Sequence, residues 1–445
     1  MTFFCKMIFK YAQTVMKQSI WRLFLMGLGI VLAGCGLFET GQGVVATITP
    51  SSTPAGTPIV IVPPPLETIV PAGQQPITLT LWTTADISPR SELPGGSALL
   101  ELLNNFDNNN PTIHLYIELK TITDAGGSLN YLRTGRDVAP TILPDLILLP
   151  TNQLAVAAGD GLIFPLDSLL TPEAISDLYP VADSLSRVDD FMYGYPFAIA
   201  NLQHLVLAAG QPPATWPTLF SQSEQSFIFP VASPVGAEMV LQFYLAAGGS
   251  LGSANQPTLQ VEPLVQALEQ INLATTNGAI DPATANLTSL EQSWQRLASS
   301  PAGIAQSTAN QFLSQQPAGA AYLYAPLPTP FTPLVTGWSW AISTPDPTRQ
   351  KVAADLLNWL AESQHLATWS QQGFFIPSRQ SALAAWTIDQ GYINFLQAEL
   401  QRARPYPAGA TPTILSALSN AAADVILQIA TPQQAAEIAL TTIQP

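Results

Sequence analysis

Cys35 is the residue whose chemistry the surrounding sequence defines best, because it directly follows an apolar stretch that ends in Ala-Gly. The 12 residues 23–34 are all apolar or glycine, and the residues before them include four basic residues and no acidic one. A basic segment, a short apolar core and small residues ahead of a cleavage site are typical of an export signal. Twelve residues are too few for a membrane-spanning helix, which needs about 20. The sequence therefore predicts an export signal over residues 1–34.

The segment Leu32-Ala33-Gly34-Cys35 resembles the lipobox of bacterial lipoproteins. The resemblance implies that the thiol of Cys35 is acylated and that Cys35 becomes the mature N-terminus. The lipid would then anchor the protein at the outer face of the cytoplasmic membrane or in the periplasm. The alternative is a signal anchor in which the cysteine occurs by chance. The start of translation stays open between Met1, Met7 and Met16.

Residues that could catalyse a reaction are scarce in the rest of the chain. Residues 337–341 read Gly-Trp-Ser-Trp-Ala and lack the second glycine of a nucleophile elbow. Asp189 and Asp190 are adjacent, so in an extended segment their side chains point to opposite faces. The histidines, which lie in apolar or amphipathic stretches away from any nucleophile motif, are His114, His204 and His365. We find no sequence pattern for a metal site or a bound cofactor.

The charge balance limits the partners of the protein. The chain has 15 Lys and Arg against 30 Asp and Glu, and removal of residues 1–34 would leave 11 basic residues and a net charge of −19. Nucleic-acid binding needs a basic surface, which this balance does not provide. Of the two cysteines, Cys5 is lost with the signal and Cys35 is modified, so no disulfide is expected in the mature protein.

Residues 35–76 form a segment rich in proline, threonine, serine and glycine, with no apolar periodicity. Chains of this composition are extended, at about 3.1 Å per residue in polyproline form. The segment is therefore predicted to be an inert tether that holds a folded body away from a membrane.

The folded body begins at residue 77 with alternating strands and helices. Residues 77–82 and 113–119 alternate apolar and polar side chains, which predicts strands with one buried face. Residues 143–149 form an apolar run, as expected of a strand buried on both faces. A helix over 97–106 and a short one over 152–158 follow in strand–helix order, which predicts an α/β fold with a largely parallel sheet. Further helices are predicted over 240–247, 263–277 and 351–370.

Motifs distributed over residues 77–440 resemble the family-1 extracellular solute-binding proteins of ABC importers, the group that includes maltose-binding protein. The most specific of them is Pro-Pro-Ala-Thr-Trp-Pro-Thr-Leu at 212–219. The others, in the order expected for the family, are 77–82, 144–149, 161–167, 193–197, 337–342 leading into 347–362, 373–379 and 431–437.

The resemblance implies a two-lobed, class II periplasmic-binding-protein-like fold with mixed sheets, flanking helices and a cleft between the lobes. A body of about 370 residues also exceeds a single hydrophobic core, so at least two lobes are expected. One lobe would hold residues 77–197 plus 340–375, and the other 198–339 plus 376–445. The chain would cross between the lobes near 197–202, 338–342 and 375–379.

The candidate ligand residues combine this resemblance with one general rule. Open α/β sheets bind ligands beyond the carboxyl ends of their strands, which directs attention to residues 82–86 and 150–152. In the family, the three tryptophan positions and residue 201 lie near the cleft. The candidates are Trp82, Asp86, Thr151, Asn152, Asn201, Trp338, Trp340 and Phe375.

Each candidate has a purely structural alternative. Indole faces suit sugar rings or cationic ligands, but the same tryptophans could pack in a core. Asp86 could accept hydrogen bonds from ligand hydroxyls or cap its own loop. Thr151 and Asn152 could contact ligand or cap a helix. Residues 299–303 lack the aromatic side chains that cover the sugar in maltose-type relatives, so the nature of the ligand stays open.

The favoured function is a monomeric receptor that delivers a small solute, such as a sugar or oligosaccharide, to the membrane subunits of an ABC import permease. A lipid-anchored surface hydrolase is one alternative, and a ligand sensor for a signalling partner is another. No nucleic-acid partner is expected.

Overall fold

The computed structural model describes residues 76–122, 127–221, 226–253, 256–315 and 322–443, all within a unit that spans Thr68–Pro445. The predicted signal, Cys35 and almost all of the tether lie outside the described residues. The predictions for those segments therefore stay predictions.

The described strands form one large sheet, one smaller sheet and a two-stranded ribbon. In chain order they are β1 (Ile77–Thr83), β2 (Ile113–Leu119), β3 (Leu146–Pro150), β4 (Arg187–Val188), β5 (Phe191–Met192), β6 (Tyr195–Ala200), β7 (Gln203–Leu207), β8 (Phe227–Ile228), β9 (Ile304–Thr308), β10 (Leu323–Ala325), β11 (Leu334–Ile342), β12 (Ile376–Pro377) and β13 (Arg404–Pro405).

The larger sheet has the strand order β12-β6-β11-β3-β1-β2, with β13 beside β11. β1 is parallel to both β2 and β3, whereas β11 is antiparallel to β3 and β6. The sheet is thus mixed rather than largely parallel, because β11 enters between β3 and β6 in the opposite direction. The predicted strands at 77–82 and 113–119 are confirmed.

The third predicted strand begins at Leu146 rather than at residue 143. Pro144 has no N–H to contribute to a ladder. The side chain of Asp145 accepts a hydrogen bond from the backbone N–H of Thr80 at 2.8 Å. At this position a carboxylate oxygen, rather than a backbone carbonyl of β3, is the acceptor for β1. The first four residues of β3 are fully buried, as the apolar run predicts.

The smaller sheet has the order β10-β7-β9-β8. The chain passes from the larger to the smaller sheet between β6 and β7, through Asn201, whose φ is 62°. This passage lies within the segment 197–202 at which the sequence places a crossing. The chain returns to the larger sheet between β10 and β11. The return thus comes before residues 338–342, where the sequence predicts the second crossing, and these residues already belong to β11. β12, within 375–379, belongs to the larger sheet.

Helices cover the faces of both sheets. In chain order the described α-helices are α1 (Gly96–Asn109), α2 (Ser128–Val138), α3 (Leu154–Gly159), α4 (Pro172–Ser176), α5 (Pro180–Ser186), α6 (Trp216–Phe220), α7 (Pro234–Ala246), α8 (Val261–Thr276), α9 (Leu290–Ala298), α10 (Ala309–Gln315), α11 (Pro347–Ala361), α12 (Ser363–Gly373), α13 (Gln380–Ala384), α14 (Gln390–Arg402), α15 (Pro412–Ile426) and α16 (Pro432–Ile443).

The predicted helices at 97–106, 240–247 and 263–277 are confirmed as parts of α1, α7 and α8. The predicted helix at 351–370 is divided into α11 and α12 by Glu362, which has an extended ψ of 135°. The break lets α12 approach the larger sheet, where Trp369 stacks on Phe197 of β6 with ring centroids 4.0 Å apart.

Two main hydrophobic clusters stabilise the described residues. The first cluster lies on the larger sheet, with side chains of β1, β3, β6, α11 and α12, and continues onto one face of the smaller sheet through Val206 of β7 and Ala305 of β9. The second cluster lies around the smaller sheet and is centred on Trp216, whose ring centroid is 4.7 Å from those of Phe243 and Phe331. Thr215 caps α6 by accepting the N–H of Thr218, which fixes the Thr-Trp motif in place.

The C-terminal helices divide between these clusters. Ile393 and Leu396 of α14 pack in the first cluster, whereas Leu418 of α15 and Ala436 of α16 pack in the second. The sequence places residues 376–445 together in one lobe. The division of the chain into lobes stays a prediction.

Candidate functional site

The strand directions bring several chain segments to one edge of the larger sheet. β1 and β3 are parallel, β6 has the same direction as β3 because both are antiparallel to β11, and all three end at this edge. The amino-terminal part of β11 lies at the same edge, with Trp338 opposite Pro150 and Ala198. Residues that follow β1, β3 and β6 are therefore neighbours of residues that begin β11.

A cavity of about 390 Å³ opens at this edge. Four segments line it: residues 151–155 after β3, residues 184–188 at the end of α5, residues 335–336 of β11, and residues 405–412 between β13 and α15. These segments are far apart in the sequence. The topology of the sheet, rather than any local motif, brings them together.

Thr151 and Asn152 are the two sequence-predicted ligand residues that line this cavity. The Oγ1 atom of Thr151 accepts a hydrogen bond from the backbone N–H of Gly337 at 3.1 Å. A Cβ atom on Gly337 would lie only 2.6 Å from the carbonyl oxygen of Ala198, so this close approach of strands requires glycine. Asn152 is exposed at the cavity wall.

Arg187 contributes a positive charge to the cavity wall. Its Nε atom donates to both carboxylate oxygens of Asp183, and its Nη1 atom donates to Asp167 at 3.2 Å. These hydrogen bonds, chiefly those to Asp183, raise the pKa of Arg187 above its usual value. Because two carboxylates already bind the guanidinium, the wall presents a largely compensated charge to the cavity.

Tyr406 lines the cavity from the segment after β13. Its backbone N–H donates to the carbonyl of Val335 at 2.9 Å, next to the parallel pairing of Val335 with Pro405. Its hydroxyl is buried and has no hydrogen-bond partner in the described part of the chain. Burial, with a smaller contribution from the charge of Glu238, raises the pKa of Tyr406.

Glu238 of α7 lies in a buried polar network beside Tyr406. The carboxyl is only 7% exposed and accepts a hydrogen bond from Nε2 of Gln203, the first residue of β7. Gln306 of β9 in turn donates to Oε1 of Gln203 at 3.0 Å and to the carbonyl of Val235 at 2.9 Å. Burial raises the pKa of Glu238 to about 7, and the hydrogen bond from Gln203 partly opposes this shift.

The structure buries two of the predicted aromatic ligand residues. Trp82 is 3% and Trp340 is 1% exposed, and neither indole N–H has a hydrogen-bond partner among the described residues. Lys120 lies over the ring of Trp82 at 4.5 Å from its centroid, and Tyr131 contacts it edge-on. Trp340 packs edge-on against Phe197.

The remaining predicted residues lie near the same edge without lining the cavity. Asp86 is exposed in the loop after β1, and Asn201 is half-buried at the passage between the sheets. Trp338 is half-buried against the first cluster, and Phe375 stacks on Trp369 at 5.6 Å. Their assignment as ligand residues, like that of Trp82 and Trp340, stays a prediction.

Sequence reasoning missed Arg187, Tyr406 and the whole 405–412 wall. The segment Pro405-Tyr406-Pro407 was a usable signal, because two prolines around an aromatic residue mark a rigid loop that presents a ring. Nothing in the sequence near Arg187 distinguishes it from other surface arginines.

Two further cavities lie outside this edge. One of about 510 Å³ is located at the amino end of β3, where buried Asp145 accepts hydrogen bonds from Arg349 at 2.6 and 2.5 Å. The other, of about 410 Å³, lies between α7 and α15 and shares Pro412 with the cavity at the carboxyl edge of the larger sheet. Within the described ranges, we find neither a group of three or more potential metal ligands nor a helix long and apolar enough to cross a membrane.

A family comparison decides the class of the protein. The sequence model described as "bacterial extracellular solute-binding protein" matches residues 132–392 of the chain. The chain belongs to this family. This solute-binding protein is therefore not an enzyme, and the hydrolase alternative is wrong. The predicted family resemblance is confirmed. No curated protein matches the full sequence significantly.

Solved structures show the same fold at low sequence identity. The cyclic alpha-maltosyl-1,6-maltose binding protein of Arthrobacter globiformis is 15% identical, with a TM-score of 0.63 over 83% of this chain and 98% of that one. Maltose-bound MalE3 of T. maritima is 14% identical, with a TM-score of 0.62 over 83% and 99% of the two chains. MalE of Listeria monocytogenes is 17% identical, with a TM-score of 0.60 over 82% and 97%. The predicted two-lobed, mixed α/β fold is confirmed.

Proposed function

We propose that this solute-binding protein captures a sugar or oligosaccharide outside the cytoplasm and delivers it to the membrane subunits of an ABC import permease. The similar solved structures include proteins described as binding maltose and cyclic alpha-maltosyl-1,6-maltose, which supports a carbohydrate solute. No cofactor is required for this function.

The observation that carries the proposal is the cavity at the carboxyl edge of the larger sheet. Its volume of about 390 Å³ is within the usual range of about 300–1,000 Å³ for small-molecule sites. Its wall combines hydroxyl and amide groups of Thr151, Asn152 and Thr336 with the apolar surfaces of Leu185 and Val335. Sugar rings match such a wall, because they carry hydroxyls around an apolar face.

A thermal-shift screen tests the class of solute. A solute at 100 times its Kd adds about 2.7 kcal/mol to the free energy of unfolding, which gives a clear rise in melting temperature. The panel contains monosaccharides, linear gluco- and manno-oligosaccharides, polyamines and polyol phosphates. A rise with an oligosaccharide supports the proposal. A rise with polyamines or polyol phosphates alone would identify a different class of solute.

Asn152 tests the location of the site. Asn152→Ala removes an exposed amide at the cavity wall, and we expect a loss of affinity of about 1 kcal/mol, the usual net value of one hydrogen bond. Asn104→Ala, on the exposed face of α1, is the matched control and should bind like the parent. Equal affinity of all three proteins by calorimetry would place the site elsewhere.

The predicted ligand residues that are not enclosed in the core are proposed as a second wall of this site: Asp86, Asn201, Trp338 and Phe375. Trp338 is the most suitable to test, since it is half-buried and lies opposite Pro150, next to the cavity residue Thr151. Trp338→Ala should weaken binding while the melting temperature of the solute-free protein changes little. A large fall in melting temperature with unchanged affinity would identify Trp338 as a core residue.

Anchoring by the lipid of Cys35 is part of the proposal. Cys35→Ser, expressed in the source cell, should lose the lipid label and leave the membrane fraction. A variant that stays in the membrane fraction with residues 1–34 intact would identify that segment as an uncleaved anchor instead.

Uptake of labelled solute by cells that lack this protein separates transport from sensing. Loss of uptake, restored by the parent gene, supports delivery to a permease. Normal uptake with a lost transcriptional response to the solute would support the sensor alternative. Size-exclusion chromatography of residues 77–445 tests the expected monomer.

A further inference from the structure

Arg187 is the single charged residue among the described residues that line the cavity at the carboxyl edge of the larger sheet. Its side chain is 27% exposed. An arginine in a ligand cavity is well suited to bind a carboxylate or a phosphate, because the planar guanidinium donates two parallel hydrogen bonds to such a group. The surroundings of Arg187 oppose this use.

Two aspartates already bind the guanidinium. Its Nε atom donates to the carboxylate oxygens of Asp183 at 2.9 and 3.0 Å, and its Nη2 atom lies 2.9 Å from the same carboxylate. Its Nη1 atom donates to Asp167 at 3.2 Å and to the backbone carbonyl of Asp190 at 3.0 Å. Asp167 in turn accepts the backbone N–H of Met192 at 3.0 Å. The guanidinium is therefore fixed, and the edge formed by Nε and Nη2 is taken.

The aspartates more than compensate the charge of the arginine. One guanidinium and two carboxylates leave a local charge of −1. The turn between β4 and β5 adds two exposed carboxylates, Asp189 and Asp190, whereas Arg404, which precedes the 405–412 wall, does not line the cavity.

The second carboxylate sets Arg187 apart from the other arginines. In the described part of the chain, each of the other ion-paired arginines forms its ion pair with one carboxylate. The second carboxylate at Arg187 thus exceeds what neutralisation of the guanidinium requires, at the position where the guanidinium lines a cavity.

We propose that Asp183 and Asp167 act through Arg187 to restrict the cavity to uncharged solutes, by excluding sugars that carry a carboxylate or a phosphate. This inference rests on the proposed function for the site and for the sugar chemistry of the solute. Neither aspartate lines the cavity, so both are positioning residues. An anionic solute must displace a carboxylate from Arg187 or approach a region of negative charge, whereas a hydroxyl group need do neither.

The exclusion should depend on salt. Asp167, Asp183 and Arg187 are all partly exposed, so mobile ions can screen them. The screening length falls from about 30 Å at 0.01 M salt to about 3 Å at 1 M. A preference that arises from charge should therefore be strong at low salt and nearly absent at high salt, whereas a preference that arises from shape should not change.

The test compares two derivatives of the oligosaccharide that gives the largest thermal shift. In the first, one primary alcohol is oxidised to a carboxylate, and the second is the amide of that acid, which has nearly the same shape and no charge. Calorimetry of the parent should give an affinity about tenfold higher for the amide than for the acid at about 0.01 M salt. The ratio should approach one at about 1 M salt. Equal affinities at low salt would overturn the inference.

Substitutions then assign the preference to this cluster of charges. Asp183→Asn and, separately, Asp167→Asn keep the shape of the side chain and bring the local charge to zero. We expect each to bind the acid about tenfold more tightly relative to the amide than the parent does. The double variant Arg187→Gln/Asp183→Asn returns the local charge to −1 and should return the ratio of the parent.

Asp160→Asn is the matched control, because Asp160 is a similarly exposed aspartate that pairs with Arg133 at 2.6 Å and does not line this cavity. It should keep the ratio of the parent. A ratio unchanged from the parent in both Asp183→Asn and Asp167→Asn, each shown by its melting curve to be folded, would overturn the inference.

The outcomes separate this inference from the proposed function. If no oligosaccharide binds the parent but another uncharged solute does, the proposed function fails, and the comparison of acid and amide is made with derivatives of that solute. If the tightest solute is a polyamine or a polyol phosphate, the inference fails as well.

Discussion

Replacement of the buried Glu238 by glutamine tests how much stability this protein gains or loses from one buried carboxyl. The carboxyl is 7% exposed and accepts a hydrogen bond from Gln203. Glu238→Gln keeps the shape of the side chain and an oxygen that can accept this bond, but it removes the ionisation. The difference between variant and parent should therefore depend on pH rather than on packing.

The magnitude follows from the pKa of Glu238, which burial raises from 4.5 to about 7. The folded protein thus favours the neutral carboxyl. The stability that this group contributes is fully present below about pH 4.5 and is lost as the pH rises through about 7. A shift of this size corresponds to about 3 kcal/mol, at 1.36 kcal/mol per pKa unit.

Urea unfolding of both proteins at several pH values between about 4 and 9 measures this difference. We expect the parent to lose about 3 kcal/mol relative to Glu238→Gln across this range, with the change centred between 4.5 and 7. Glu437→Gln is the matched control, because Glu437 is an exposed helical glutamate that also accepts a glutamine hydrogen bond. A constant difference between parent and Glu238→Gln at all pH values would refute the reasoning.

Three further substitutions test the packing that holds the site. Trp216→Ala should lower the free energy of unfolding by about 3–5 kcal/mol, measured by urea unfolding, because it empties the centre of the second cluster. Asp145→Ala should cost about 3 kcal/mol in the same assay, since it leaves Arg349 without its buried partner, yet it should not change solute affinity, because this pair lies at the opposite edge of the sheet. Gly337→Ala should cost about 1–3 kcal/mol and also weaken solute binding in calorimetry, because its Cβ atom would press on β6 and on Thr151. Unchanged binding by a folded Gly337→Ala protein would contradict the placement of the site.

Apolar patterns predicted β1, β2 and β3 of the larger sheet well, because each has a distinct buried pattern. β2 has the predicted bounds, and β1 is one residue longer than predicted. The pattern could not predict how the strands pair. β11 follows β3 and β6 only after a long stretch of chain. Its antiparallel pairing with both strands depends on how that stretch folds, which a local apolar pattern does not record.

Burial explains why the predicted aromatic residues differ from the residues of the cavity wall. Trp82 is the last residue but one of β1, which lies between β2 and β3, and Trp340 lies in the second half of β11, between β3 and β6, so neighbouring strands and helices enclose both indoles. A sequence shows that a tryptophan ends a strand. It does not show whether the face of the sheet at that point is covered.

Thr151 and Asn152 were predictable because the rule for open α/β sheets depends only on the position where a buried strand ends. Tyr406 and Arg187 were not, because the wall they form is assembled from segments that are distant in the chain. Only the pairing of β13 with β11 brings Tyr406 beside Thr336 and Thr151.

From the position of the cavity, we expect solute binding to be coupled to a conformational change. One wall, with Thr151, belongs to the larger sheet, whereas the 405–412 wall leads directly into α15, which packs in the second cluster. The passage at Asn201 and the returning strand β11 connect the two clusters beside this cavity. A solute that contacts both walls therefore favours the arrangement of the two walls in which it makes more contacts. The size of this preference is the difference in its binding free energy between the arrangements.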